Sequence, residues 1–591
     1  MSESEISHSL DHIRHTLAHL LAAAVKKLNP HALPTIGPAI ENGFYYDFDF
    51  NKSVPPDLRQ FPDVLEAYED EMKRLLPSWT EFTHREVAAR EAKDFFRDNP
   101  YKQELIDELE KKGEKITLYK CGDFEDLCRG GHVLHPNKEI SPDSFKLDKI
   151  AGAYWRGDET KPQLQRIYGL AFASKKDLKE YEKMRTEAKK RDHKVLGPAL
   201  DLFTFSELVG PGLPLWTPKG TILRNELDTF VWQLRKKRGY EQVDIPHITK
   251  KDLYEKSGHW EKFKDGLFHV KTREGHEFAL KPMNCPHHIQ IYARRQWSYR
   301  ELPQRYATTT KVYRDEQSGE LAGLSRVRAI TQDDAHVFCR TSQVKEEVFK
   351  IWDIIEEFYG AFGFAVSVRL SLHDPAHPEK YLGTPEVWKK AEAELRGLVK
   401  ERGAEAEEGV GEAAHYGPKI DFMSKDALGR EHQVATIQLD MNQPERFDLT
   451  CVNEKGEHER IVMIHAAIMG SIERFLAVAI EHFAGAFPVW CAPVQAAVLP
   501  VSDKFAAYGK KVYDALAAEG IRAELAPANE SLGKRIREAE LMKIPYVLVV
   551  GEKEEKDGAV AVRSRKGDEG ALGIKKFLEK IGREIKEKAL S

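Results

Sequence analysis

The alternation of apolar and polar positions changes character several times along the chain. Up to about Ala173 it predicts a short helix from His12 to Leu28, a Gly/Pro turn at Ile36-Gly37-Pro38, an aromatic strand from Phe44 to Phe50 and a turn-rich stretch from Cys121 to Pro136. This is the pattern of a mixed α/β domain. Lys175 to Lys194 then holds seven Lys and two Arg against five acids, a net of +4, with no interior Gly or Pro, and predicts a charged connecting helix. From Gly197 to about Pro488, strand-like pieces (Gln242 to Ile245, Phe278 to Leu280, Arg305 to Lys311, Arg328 to Thr331, Val434 to Asp440) alternate with helices at irregular spacings. Without a regular βαβ period, a largely antiparallel sheet flanked by helices is expected. After Cys491 the order becomes strand (Ala496 to Pro500), helix (Lys504 to Glu519), strand (Ile521 to Ala526), helix (Leu532 to Met542) and strand (Tyr546 to Val550), a separate small α/β domain.

The length of 591 residues agrees with several domains, and the boundaries expected are 1–173, 174–196, 197–490 and 491–591. With 41% hydrophobic and 31% charged residues the chain can bury several cores and is not intrinsically disordered. Its net charge of -5 means that any nucleic acid must be held by local basic patches. Six scattered cysteines make no disulfide framework and fit a reducing cytoplasm. The apolar run Leu17 to Val25 carries His19, follows Glu3, Glu5 and Asp11 and has no basic start, so it is not read as a secretory signal. No apolar stretch reaches the roughly 20 residues that span a bilayer.

Three constellations could carry chemistry. His15 and His19 stand at i,i+4 on one helix face, and Cys128 and His132 follow Asp126 in Asp-Leu-Cys-Arg-Gly-Gly-His; with Lys102 they form one candidate group. Cys285, His336 and His465 lie far apart, in Met283-Asn-Cys-Pro-His, Gln332-Asp-Asp334-Ala-His and Met-Ile-His-Ala-Ala. If folding joins them, one Cys and two His suit an open catalytic zinc site; spacing alone leaves ordinary core residues the stronger alternative. Tyr313 to Arg328 is a loop with charged ends, Arg314, Glu316 and Arg326 among them, and glycines in the middle, and arginine suits phosphate. There is no G-x-x-x-x-G-K-[ST] and no strand-linked G-x-G-x-x-G, so a nucleotide must be bound otherwise.

With these residues in place the chain resembles the class II aminoacyl-tRNA synthetases, and within them the threonyl type, across nearly its whole length. Leu215-Trp-Thr-Pro218-Lys-Gly is similar to the first motif of the class, Tyr313 to Arg328 to the second, and Gly470-Ser471-Ile-Glu-Arg474-Phe to the third. The resemblance implies an α+β multidomain chain: an N-terminal α/β editing domain, a linker helix, a class II antiparallel-sheet catalytic core and a C-terminal α/β anticodon-binding domain. It implies that the family's zinc ligands fall on Cys285, His336 and His465, one zinc per chain, and that Mg²⁺ enters with ATP. Arg314 and Arg474 would clamp the phosphates, and Glu316 and Arg326 would hold the nucleotide. Gln332, Asp334 and Lys419 join the catalytic set; Met283, Tyr416, Gln433, Gln438 and Ser471 join the substrate-binding set. Asn529, Arg537, Glu554 and Arg563 are the implied anticodon contacts, and Pro218 implies a homodimer. Many family members carry a small ubiquitin-like domain ahead of the editing domain; here His15 comes too early for one, and that domain is expected to be absent.

The expected reaction is threonine plus ATP to threonyl-adenylate, then transfer to tRNA(Thr). A site built to bind a hydroxyl rejects valine by ~10⁴-fold, whereas serine lacks only a methyl, worth about 1 to 3 kcal/mol. A second, hydrolytic site for seryl-tRNA therefore has a physical reason to exist, and His15, His19, Lys102, Asp126, Cys128 and His132 are its candidates. Alanyl-type editing domains bind zinc with a similar His/Cys pair; in threonyl-type domains water activation without a metal is the reading favoured. A decayed synthetase retaining only a deacylase, or a non-catalytic RNA-binding regulator, would not need Arg314, Arg474 and all three zinc ligands intact. A prolyl or seryl type would not need those three ligands together.

Overall fold

The computed structural model describes residues 3–50, 63–158, 160–263 and 266–590. It divides into two compact units, Met1–Thr186 and Glu187–Ser591.

In the first unit the helix Glu3–Leu28 starts earlier than its apolar pattern announces. Leu17, Leu20, Leu21 and Ala24, spaced three and four apart, are wholly buried against Phe44, Tyr46 and Phe48 of the strand Gly43–Asp49. That strand lies in an antiparallel sheet with Leu33–Pro34, Gln163–Ala171 and Phe145–Tyr154. A smaller sheet of Thr83–Glu86, Thr117–Cys121 and Phe124–Leu127 carries Asp126 and leads into Cys128. The charged helix runs only over Lys175–Arg191. The Asp192 carboxylate accepts the Lys194 N–H at 2.8 Å and caps a new short helix, His193–Ala199, so the single helix expected to Lys194 is two.

The second unit is built on an eight-stranded sheet in the order Glu241–Gln242, Gln304–Tyr313, Ala329–Cys339, Val462–Ser471, Glu431–Asp440, Lys419–Lys425, Val366–Leu372, Ala406–Val410. The five inner pairings are antiparallel and only the two edge pairings are parallel, in accord with the expected antiparallel core. The helices Pro218–Lys236, Val344–Gly360 and Ile472–Phe483 pack against it in one hydrophobic core. Two strands depart from expectation. The one foreseen over Arg328 to Thr331 continues to Cys339, and Gln242 to Ile245 shrinks to Glu241–Gln242. The central strand Val462–Ser471 gives no alternation to read, because its first eight residues are all buried.

The tail forms a five-stranded sheet, Ala523–Leu525, Ala496–Pro500, Tyr546–Val550, Ala559–Ser564, Gly567–Gly573. The first three strands are parallel and joined by the helices Ala506–Ala518 and Leu532–Leu541; the last two close an antiparallel hairpin before the helix Ile574–Lys586. Arg522 pairs with Glu226 at 2.8 Å, fixing this sheet to the helix Pro218–Lys236 within the same unit.

Candidate active site and metal centre

Side chains two apart on a strand share a face. Gln332, Asp334 and His336 therefore project together from Ala329–Cys339, while Asp333 turns the other way, where its carboxylate takes Arg235 at 3.1 Å and the backbone N–H groups of Ile468 and Met469 at 2.9 Å each. Strand register extends this face sideways. His336 lies opposite His465, His465 opposite Gln438, and Gln438 opposite Lys419, a row across four strands. Gln332 lies opposite Ser471.

Cys285 enters at the start of the helix Cys285–Tyr292, with Pro286 in its first turn, and meets this row. One ligand atom each from Cys285, His336 and His465, all buried, lies within 4.8 Å of the others. The outer nitrogens are engaged: His465 Nε2 is 2.9 Å from Asp440 Oδ2, and His336 Nδ1 is 2.8 Å from His288 Nδ1. With protons on those outer atoms, His336 Nε2 and His465 Nδ1 face each other at 3.1 Å as two lone pairs that cannot bond to one another. A cation between them resolves that conflict, and one thiolate with two imidazoles suits zinc with a coordination position to spare. Burial holds the His336 imidazole well below its ordinary range.

Around the cluster, Asn284 donates to Asp334 at 3.0 Å, Tyr416 stacks on His465 with ring centroids 4.8 Å apart, and the Tyr416 hydroxyl donates to Gln438 at 2.5 Å. Burial pushes the Asp334 carboxyl above its usual range, and the Asn284 hydrogen bond opposes the shift. Buried Asp421 takes Lys419 at 3.0 Å and Gln433 at 2.7 Å. Met283 is half-buried against the core beneath Cys285.

A cavity of about 380–400 Å³ exists in each unit. In the second unit, at about 400 Å³, it gathers Arg314, Glu316, Arg326, Gln332, Gln433, Ser471 and Arg474. Arg314 is half-buried, its Nε unpaired, with its guanidinium 5.8 Å from the Phe263 ring; burial draws its pKa below the usual value. Arg474, in the first turn of the helix Ile472–Phe483, is exposed. The Ser471 hydroxyl caps that helix by accepting the Arg474 N–H at 3.2 Å. Glu316 and Arg326 pair with each other at 2.7 Å across the loop mouth.

The first unit brings its six candidates together as well. His15, His19, Cys128 and His132 each place a donor atom within 4.8 Å of the others, beside a cavity of about 380 Å³. Cys128 Sγ is 3.2 Å from His132 Nε2 and 3.6 Å from His15 Nε2. Behind them a buried Lys102 ammonium meets Asp126 at 2.6 Å, and the Tyr46 hydroxyl donates to the same carboxylate at 2.5 Å. Desolvation keeps His132 neutral, pushed down to about 2, and the Cys128 thiol protonated, pushed up to about 11.

The four residues of the tail are placed differently. Asn529, Arg537 and Arg563 are exposed, and Glu554 spends a carboxylate oxygen on the Gly551 N–H at 3.0 Å. Among the described residues no hydrogen bond or ion pair joins any two of the four. Sequence reasoning passed over His288, Asn284, Asp421, Asp440 and Tyr46. Two of these had a signal: His288 follows Cys285 within one helical turn, and Asp440 stands two residues beyond Gln438 on one strand face.

A largely antiparallel sheet carrying an arginine-lined cavity, with no phosphate-binding glycine loop, agrees with a class II aminoacyl-tRNA synthetase core, and the family comparison shows that class. Residues 268–483 match the class II core domain of tRNA synthetases (G, H, P, S and T), and residues 495–584 match an anticodon-binding domain. The chain is 48% identical to a threonine–tRNA ligase of Flavobacterium johnsoniae over 580 residues, 97% of this chain and 88% of that protein. It is also 48% identical to one from Gloeobacter violaceus, over 96% of this chain and 91% of that one. A crystal structure described as the RNA-binding domain of threonyl-tRNA synthetase from Cryptosporidium parvum superimposes with a TM-score of 0.63 at 40% identity, covering 66% of this chain and 98% of that one. The chain belongs to the threonine–tRNA ligase family.

Proposed function

We infer that the protein activates threonine with ATP and transfers it to tRNA(Thr). The observation that carries the amino-acid assignment is the meeting of Cys285, His336 and His465 on the sheet face that also bears Gln332 and Asp334. We assign the second-unit cavity lined by Arg314, Arg326 and Arg474 to ATP, which enters as its Mg²⁺ complex. Arg314 and Arg474 neutralise phosphate charge there, and Glu316 and Arg326 part from each other to hold the nucleotide. Positioning by Gln332, Lys419, Gln433 and Ser471 brings the carboxylate of the amino acid to the α-phosphate.

Cys285, His336 and His465 would hold a zinc ion, which would supply Lewis-acid chemistry toward the amino group and hydroxyl of the substrate. Asp334 accepts from that hydroxyl, with Asn284 fixing the carboxylate; Tyr416, Gln438 and Met283 wall the amino-acid pocket. Valine would leave the Asp334 oxygen that Asn284 does not hold buried without a donor, a loss able to give ~10⁴-fold rejection. Serine satisfies the same groups, so the first unit is read as the editing domain that hydrolyses seryl-tRNA. There His15, His19 and Cys128 line the pocket without a metal, with His132 packed against them and the histidines held neutral; a histidine moves the proton of the attacking water, and Lys102, steadied by Asp126, stabilises charge. We read the tail, with Asn529, Arg537, Glu554 and Arg563, as the surface that reads the anticodon.

The same reading makes the protein a homodimer. Phe205, Val209 and Leu215 are exposed, and Leu208 is 99% exposed, on the segment that leads into Pro218, an apolar surface for a second copy to cover. Its six free cysteines fit the cytoplasm, and among the described residues no helix is long and apolar enough to cross a membrane. ATP–pyrophosphate exchange with each amino acid tests the assignment. Threonine, and serine more weakly, should support exchange; exchange with proline or valine alone would refute it.

A further inference from the structure

His193 opens the short helix His193–Ala199 and is buried, 4% exposed. Its ring joins two segments remote in sequence. Nδ1 lies 2.6 Å from Glu481 Oε1, in the last turn of the helix Ile472–Phe483, and the His193 backbone N–H donates to the same oxygen at 3.1 Å. On the other side Nε2 accepts the backbone N–H of Leu324 at 3.0 Å. A peptide N–H only donates, so Nε2 carries the lone pair and Nδ1 the proton: one tautomer satisfies both neighbours. Arg430 holds the other oxygen of Glu481 and Asp426 in turn, which makes the carboxylate a fixed anchor.

Leu324 belongs to the loop Tyr313 to Arg328. Its side chain is fully buried, and the adjoining Gly323 has φ +55°, with a Cβ there falling 2.4 Å from His193 Nε2. The loop backbone thus lies directly on the imidazole. The next two residues, Ser325 and Arg326, line the ATP cavity.

We propose that His193 is a positioning residue for ATP binding: it accepts the Leu324 N–H and thereby sets where Ser325 and Arg326 stand over the nucleotide. The proposal rests on assigning that cavity to ATP. Removing the acceptor leaves a buried N–H unpaired, which the loop relieves by moving toward water, away from the register that holds the nucleotide.

Two amide side chains separate the ring's two roles. In His193→Gln the amide oxygen reaches the place of Nε2 and can accept from Leu324; in His193→Asn the amide NH2 takes the place of Nδ1 and donates to Glu481, and no acceptor reaches Leu324. Steady-state ATP–pyrophosphate exchange by the full-length protein should show His193→Asn and His193→Ala raising KM for ATP about tenfold, with kcat and KM for threonine within about twofold. His193→Gln should return KM for ATP to within about threefold of the wild type. Thermal melting checks folding, and where His193→Ala fails to fold the Asn and Gln pair still decides. Equal values for Asn and Gln, or a loss in kcat at unchanged KM for ATP, would overturn the role of His193. Arg314→Ala guards the premise: normal KM for ATP in that variant would remove the ATP assignment itself, and the proposal with it.

Discussion

Among the described residues two groups of cysteine and histidine each bring their donor atoms within 4.8 Å of one another, and the two are not equally suited to a metal. In the second unit His336 and His465 stand on neighbouring strands and Cys285 at the start of a helix, all three buried, and the nitrogens not needed for coordination are occupied by Asp440 and His288. With protons on those outer nitrogens, two lone pairs are left facing inward. In the first unit His15, His19 and Cys128 line an open pocket, and the backing is looser: His15 Nδ1 is 3.3 Å from the Gly131 carbonyl and His19 Nδ1 3.9 Å from Asp126, while Cys128 Sγ accepts the Gly130 N–H at 3.3 Å and approaches both His15 and His132. His132 Nδ1 is buried with no partner to orient it, and the nearby carboxylate, Asp126, is already held by the Lys102 ammonium at 2.6 Å. Closeness of donors is a poor criterion for a metal site. The backing of each ligand and the charge next to it discriminate better.

The comparison breaks first if the second-unit cluster does not need metal. Cys285→Ser should lower the zinc content from one per chain to near zero and threonine-dependent exchange by roughly 10³-fold or more, read by elemental analysis beside the exchange assay. Full activity in metal-free protein would remove the distinction. The mirror test is His15→Ala combined with His19→Ala. Deacylation of preformed seryl-tRNA should fall by roughly 10²- to 10⁴-fold while threonylation stays near normal. Prolonged chelation of the wild type sharpens the contrast further, since threonylation should decay and deacylation persist; loss of both would make the first-unit group a metal site too. Asp440→Asn leaves the ligands in place and weakens only their backing, so zinc affinity measured by competition should drop about 10- to 100-fold. The smallest effect belongs to the tail. Arg563→Ala should raise KM for tRNA several-fold, about 1 kcal/mol, with exchange unchanged, and equal damage to both reactions would mark Arg563 as structural.

Much of this was legible in the residues. The first helix, the aromatic strand after it and the parallel first half of the tail follow directly from periodicity. The three zinc-type ligands did not. His336 and His465 are 129 positions apart, and only the strand register that sets them opposite each other makes them neighbours, with Cys285 brought in on a separate helix; local pattern carries no such long-range information. Family resemblance supplied that link. Val462–Ser471 was missed because a central strand buried on both faces looks like any apolar run, and the closing hairpin of the tail because Gly567–Gly573 is short of the β-branched and aromatic residues that announce a strand. The break after Arg191 was signalled by Asp192, a good cap hidden in a run of charges.

The row Lys419, Gln438, His465, His336 also limits what changes of length the gene can tolerate. A strand presents alternate residues to opposite sides, so deleting or inserting one codon between Ala329 and His336 turns the ligand toward the helices instead of the substrate. Substitutions in these strands are damaging in proportion to what each side chain touches. A one-residue indel is damaging everywhere upstream in the strand alike, because it reverses the parity of the whole row. Insertions in this protein are therefore expected to collect in its loops, and within the four central strands only paired changes of two residues keep the same face toward the site.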